Sequence, residues 1–194
     1  MLFRQLSVIN LFYEDINKEY DEDHDNSGDK LHKYGEHRLI FENFIKENFD
    51  NYYIFRIPAL FGTGLKKNVL FDLINNNEVY KINLISEFQW YNLDWLEEHF
   101  EICFKNNIRT CNLFTEPLKT GEITSLFNYC YEDNYKHNFI KYNVKTKYWD
   151  HFGDCPGYIC SKQEVLDSIK EYIAKHSGDY NFQQAIDPII YQKS

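Results

Sequence analysis

Short apolar segments of strand character alternate with segments of helical period along most of the chain, and this alternation limits the fold more than any single motif does. Phe3 to Tyr13, with Leu6, Val8, Ile9, Leu11 and Phe12, is a nearly continuous apolar run of the kind a strand buried on both faces requires. From Leu31 to Phe49, the residues Ile40, Phe41, Phe44, Ile45 and Phe49 recur at three- and four-residue steps, which predicts a helix with a wide buried stripe. Tyr52 to Pro58 reads as a second buried strand and Leu65 to Asn77, through Val69 and Leu73, as a helix. Val79 to Ile85 alternates, with Tyr80, Ile82 and Leu84 on one face, the period of a half-buried strand. Leu93, Leu96, Phe100 and Cys103 return to helical steps. Ile108 to Phe114 then reads as a strand, Thr120 to Cys130 as a short helix, and Ile140 to Tyr148 as a strand with one wet face. Ser161-x-x-Glu164 is a capping box opening a last helix that carries Val165, Ile169, Tyr172 and Ile173. Such alternation predicts an α/β fold with at least a partly parallel sheet. The 194 residues fit a single domain over positions 1–194.

Composition narrows the function. Hydrophobic residues make up 43% and aromatics 18%, enough to bury a core and offset the entropy of ordering the chain. A net charge of −9 argues against a surface that tracks phosphates, so no nucleic-acid partner is expected. The acids concentrate between Glu14 and Lys30, where eight of them stand against Lys18 and Lys30, and this predicts a solvated acidic loop over 14–30. Five cysteines, with no C-x-x-C pair, give neither a disulfide framework nor a zinc pattern, which suits a reducing, cytoplasmic compartment. No apolar run reaches the length of a membrane span, and no membrane partner is expected.

Few residues carry a chemical signal. Asp23-x-Asp25-x-Ser27-Gly28 matches the first half of a calcium loop, but Tyr34 stands where the bidentate Glu belongs. His151, Cys155 and Cys160 are loosely spaced for zinc and lack an evident fourth ligand, so no metal is expected. Lys141, Lys145 and Lys147 interleave with aromatics as a solvated face would. Phe61-Gly62-Thr63-Gly64 can turn a strand into a helix and offer backbone N–H groups to an anion, but Lys67 stands where a dinucleotide fingerprint needs its third glycine. Tyr34-Gly-Glu-His-Arg38 places a phenol and a guanidinium on one face of a helix start. A phenol titrates near 10, so moving a proton at neutral pH requires a fixed cation beside it, and Arg38 is in reach to be that cation.

The order of these pieces resembles the C-terminal half of an extended short-chain dehydrogenase/reductase, the NAD-dependent epimerase/dehydratase group that works mostly on nucleotide sugars. The resemblance rests on Leu6-Ser7-Val8 ending a strand, Tyr34-x-x-x-Arg38 opening a helix and Phe55-Arg56-Ile-Pro-Ala-Leu-Phe-Gly62. It continues through Phe88-Gln-Trp-Tyr-Asn-Leu-Asp94 and Asn112-Leu-Phe-Thr-Glu116-Pro117 to Glu122-Ile123. It implies a truncated Rossmann-like parallel sheet with part of the small substrate domain. It implies catalytic roles for Tyr34, Arg38 and Ser7, cofactor contacts at Tyr34, Arg38, Pro58 and Leu60, and substrate contacts at Arg56, Gly62, Asn68 and Gln89. The chain departs from the family pattern at three points. Arg38 stands for the family's Lys, Val8 falls on its Ser/Thr position with Ser7 beside it, and Ala59 falls on its substrate-contacting Asn. NAD or NADP is the cofactor the resemblance implies. The glycine-rich half that binds it is expected upstream or in another chain, so the isolated chain is expected to bind neither. The partners so implied are a second copy or a chain supplying that half, with a sugar as possible ligand. The two functions to weigh are an epimerase/dehydratase-like enzyme and an inactive pseudoenzyme or interaction module derived from one.

Overall fold

The computed structural model describes residues 3–8, 20–25, 33–64, 68–127 and 139–176; side chains in 3–8 are not among what it describes. Strand β1 (Phe3–Val8) is followed by helix α1 (Lys33–Asn48) and strand β2 (Tyr52–Ile57), and the two strands pair in parallel, Ser7 opposite Arg56 and Val8 opposite Ile57. Parallel neighbours require a crossover, and α1 supplies it. Strand β6 (Thr110–Asn112) adds to the other side of β2, also in parallel, giving the order β1-β2-β6. The α/β reading with a partly parallel sheet therefore holds.

Beyond Ile57 the chain leaves this sheet. Strand β3 (Ala59–Phe61) pairs in parallel with β5 (Trp90–Asn92), and β4 (Glu87–Phe88) pairs antiparallel with β7 (Leu118–Lys119). Between them lies helix α2 (Val69–Asn75). Helix α3 (Leu96–Lys105) covers β2 and β6, where Phe55, Ile57, Cys103, Ile108 and Cys111 form one buried cluster. Helix α4 (Thr120–Thr124) and helix α5 (Lys162–His176) close a second cluster of Phe61, Leu70, Leu73, Trp90, Leu118, Ile123, Val165, Ile169 and Ile173. The capping box is formed as read: Ser161 N–H and Oγ both meet Glu164 Oε2 at 2.7 Å.

Three sequence expectations are corrected. Val79 to Ile85 is not a strand: Val79–Lys81 is a single 3-10 turn, Tyr80 is exposed, and Asn83 Oδ1 accepts from the N–H groups of Ile85 and Ser86, so a side chain takes the donors a ladder would need. Ile140 to Tyr148 forms only isolated bridges, at Lys141 with Glu87 and at Val144 with Tyr20, because Val144 N–H donates to the Gln89 side chain and Lys145 N–H to the Tyr20 carbonyl. The buried stripe of α1 is narrower than expected. Ile45 is buried as read, but Ile40, Phe41 and Phe44 are exposed, and the helix buries Gly35 and Glu42 beside Ile45. The second half of the first apolar run, positions 9–13, lies outside the described residues, as do most of the acidic loop over 14–30 and Cys130.

Candidate active site

Helix α1 runs back against two parallel strands, so its N-terminus lies toward the C-terminal ends of β1 and β2. That end gathers Ser7, at the penultimate position of β1, and Tyr34 and Arg38, in the opening turns of α1. Arg38 Nη2 donates to Tyr34 Oη at 2.7 Å, and the guanidinium carbon also lies 4.9 Å from the centroid of the Tyr34 ring. Tyr34 is 39% exposed, so its hydroxyl is reachable from solvent while held by a cation. The contact expected from the i, i+4 spacing is therefore formed.

The other expected residues are more deeply engaged. Arg56 is 3% exposed and grips Glu42 of α1, with Nη2 at 2.8 Å from Oε2 and Nε at 3.1 Å from Oε1, and its Nη1 donates to Asn112 Oδ1 at 3.4 Å. Gln89 is buried, donating to the carbonyls of Thr115 at 2.6 Å and Val144 at 2.7 Å and accepting from Val144 N–H at 2.8 Å. Asn68 caps α2, accepting from Phe71 N–H at 2.9 Å and donating to the Leu60 carbonyl at 2.6 Å. A substrate would compete with these internal partners. Pro58 is buried and Leu60 half-buried. Gly62 has φ 153°, and a Cβ there would come within 2.9 Å of Leu93 Cβ, so glycine is needed for close packing of the turn. Its carbonyl accepts from Tyr172 Oη at 3.1 Å. Gly62 is thus engaged by tertiary partners, while a Cβ at Gly64 would meet nothing within 4 Å.

No family model matches the sequence, and no curated protein matches it. Solved structures do. A dTDP-4-dehydrorhamnose reductase from Clostridium acetobutylicum superimposes with a TM-score of 0.57 at 18% identity, over 90% of this chain and 65% of that one. A dTDP-glucose 4,6-dehydratase from Bacillus anthracis, solved with NAD, gives 0.62 at 12% identity over 91% and 63%. A UDP-N-acetylglucosamine 4-epimerase from Methanobrevibacter ruminantium gives 0.61 at 10% identity over 91% and 63%. The chain has the fold of an extended short-chain dehydrogenase/reductase. It spans less than two thirds of the length of these enzymes. Within that fold, Tyr34 and Arg38 open the crossover helix beside the first strand.

Sequence reading missed a buried polar pair on the face of the β1-β2-β6 sheet that α3 covers. Tyr91 Oη lies 2.9 Å from His99 Nδ1, both buried among Trp95, Phe152 and the Cys103 cluster. Burial pushes the Tyr91 phenol up and His99 down to about 4, so the imidazole is neutral near pH 7 and shares one hydrogen bond with a protonated phenol. Burial likewise raises the Cys160 thiol to about 12 and Cys111 well above an ordinary thiol. These thiols are inert packing groups. The only sequence signal was the aromatic spacing around Tyr91, which cannot distinguish a hydrogen-bonded histidine from a solvated one.

Proposed function

We propose that this chain is the substrate-side portion of an NAD(P)-dependent epimerase/dehydratase-like protein acting on a nucleotide sugar, with Tyr34 as the group that exchanges a proton with the substrate oxygen. The observation that carries this reading is the Arg38–Tyr34 contact at 2.7 Å, solvent-accessible at the C-terminal end of a parallel sheet. The guanidinium fixes the phenol oxygen in one place, and a group that passes a proton must be held at a defined position. Ser7, beside it on β1, is the candidate to orient the reacting oxygen.

The residues present suit one end of a dinucleotide only. Tyr34 and Arg38 can meet a nicotinamide ribose, and Pro58 and Leu60 lie on the strand end that would face the ring. In the Gly62 turn a side chain at position 62 would meet Leu93, so that glycine serves the packing of the turn. A bound nicotinamide would supply or accept hydride; this chain's own contribution is to hold the proton at Tyr34 Oη and fix the phenol through Arg38. The remaining half would come from polypeptide outside these residues.

A second reading has its own support. Arg56, Asn68 and Gln89 spend their hydrogen bonds internally, and Val8 and Ala59 are apolar where polar contacts belong, which suits a module retained for binding a partner. Under either reading we propose that the exposed face of α1, with Ile40, Phe41 and Phe44, meets a second copy or the chain bearing the missing half.

Titration calorimetry of the chain with dTDP-glucose, UDP-glucose, UDP-N-acetylglucosamine, NADH and NADPH separates the readings. Micromolar binding of one nucleotide sugar, weakened by Tyr34→Phe, supports the first, with neither dinucleotide binding to the isolated chain. Silence with every sugar, with self-association intact, supports the second.

A further inference from the structure

The segment Tyr20 to Asp25 lies in the connection between β1 and α1, and its hold on the rest of the molecule converges on one carboxylate. Glu22 Oε1 accepts from the backbone N–H of Asn112 at 2.7 Å and from Thr146 Oγ1 at 2.7 Å. Glu22 Oε2 accepts from the backbone N–H of Lys147 at 2.9 Å. Asn112 ends β6, and its N–H faces away from β2, so on that open strand edge Glu22 takes the place of a neighbouring strand. Asn112 is also a junction: Nδ2 donates to the Lys145 carbonyl at 2.9 Å and Oδ1 accepts from Arg56, which grips Glu42 of α1. One polar chain thus runs from the connecting segment, across the sheet end, to the helix that carries Tyr34.

We propose that Glu22 is a proton-operated latch, which fastens the 20–25 segment to the end of β6 when ionised and loosens its hold on β6 when protonated. The reason is stereochemical. Each carboxylate oxygen accepts from a backbone donor that cannot turn away, so adding a proton leaves one of these donors with a neutral, poorer acceptor. A proton on Oε2 would meet only the Lys147 N–H. A proton on Oε1 can instead be donated to Thr146 Oγ1, since a hydroxyl rotates from donor to acceptor. The proton therefore goes to Oε1, and the bond weakened is the one from Asn112 N–H, which is left with a neutral hydroxyl oxygen in place of a charged acceptor. The contacts to the other wall survive: Lys147 N–H to Oε2, and Lys145 N–H to the Tyr20 carbonyl at 2.7 Å. Burial makes protonation accessible, because it raises the Glu22 carboxyl above its ordinary range against the lowering effect of its three donors.

The charged and titratable surroundings come from four places. Cys111 precedes Asn112 on β6, Arg56 lies behind Asn112 on β2, and Lys145 and Lys147 stand on the facing stretch, Lys147 paired with Asp23. The segment itself brings Asp21, Asp23, His24 and Asp25, with the His24 ring edge-on to Tyr20 at 4.6 Å.

The test is amide exchange by NMR on the intact 15N-labelled chain through a pH series, beside the titration of the Glu22 side-chain carboxyl carbon. Exchanging a charged acceptor for a neutral one weakens a hydrogen bond and lowers protection by about fivefold. Protection at Asn112 is expected to fall by that factor with the midpoint of the Glu22 carboxyl, while Lys145, Lys147 and Leu113, whose N–H donates to the Arg56 carbonyl, keep theirs. Glu22→Gln is expected to hold Asn112 in the low-protection state at every pH. Overturning results are protection at Asn112 that does not change with pH, that follows His24 instead of Glu22, or that falls together with Leu113. The wild-type series decides the matter even if the variant fails to fold.

Discussion

Helices α1 and α5 carry apolar residues at the same steps and use them in opposite ways. α5 turns Val165, Ile169 and Ile173 into the larger core cluster, whereas α1 leaves Ile40, Phe41 and Phe44 outside and buries Gly35, Glu42 and Ile45. The difference traces to one side chain. Arg56 rises from β2 beneath α1 with no path to water, and an unpaired buried charge is so costly that the helix turns Glu42 toward it. Hydrophobic period thus identifies a face, and a buried charge on the neighbouring element can still decide which face goes in.

The contrast between the two helices should break most sharply at the ion pair. Glu42→Ala or Arg56→Met, each stranding a charge in the core, should cost about 3–5 kcal/mol in denaturant unfolding, while the double change to Leu and Met should cost far less than the two combined. If the single changes are nearly neutral, the pair does not set the orientation of α1. On α5, Ile169→Ala should cost about 2–5 kcal/mol, as a side chain with no exposure leaves a cavity.

Buried histidine provides the neutral counterpart of that ion pair. His99 has its pKa depressed to about 4, so between about 6.5 and 4 the unfolded chain binds the proton that the folded one refuses. Stability should therefore fall as pH drops through that window, by on the order of 3 kcal/mol at its acid end. Thermal unfolding across the range checks this, and His99→Gln should flatten the slope.

The smallest effect on folding is expected on the outer face of α1. Phe44→Lys should change monomer stability by no more than about 0.5 kcal/mol, since the residue is already 51% exposed. Light scattering should nonetheless show loss of self-association or of partner binding. A chain that is monomeric with and without the change would remove the proposed docking role from this face.

Much of the outline is legible in the order of residues alone. The helices α1, α3 and α5, the capping box at Ser161 and Glu164, and the Tyr34–Arg38 contact follow from local period and from i, i+3 and i, i+4 spacing, and a partly parallel sheet follows from the alternation of strand and helix. The segments misread as strands, Val79 to Ile85 and Ile140 to Tyr148, alternate correctly but lack neighbours to complete a ladder, and a strand is stable only as part of a sheet. Tertiary contacts alone decided that Gln89 would stitch Thr115 to Val144, that Arg56 would face Glu42 rather than solvent, and that Glu22 would close the edge of β6. Each of these joins residues far apart in the chain, and a buried polar group takes whichever partner the packed fold brings within reach, a choice no local pattern encodes.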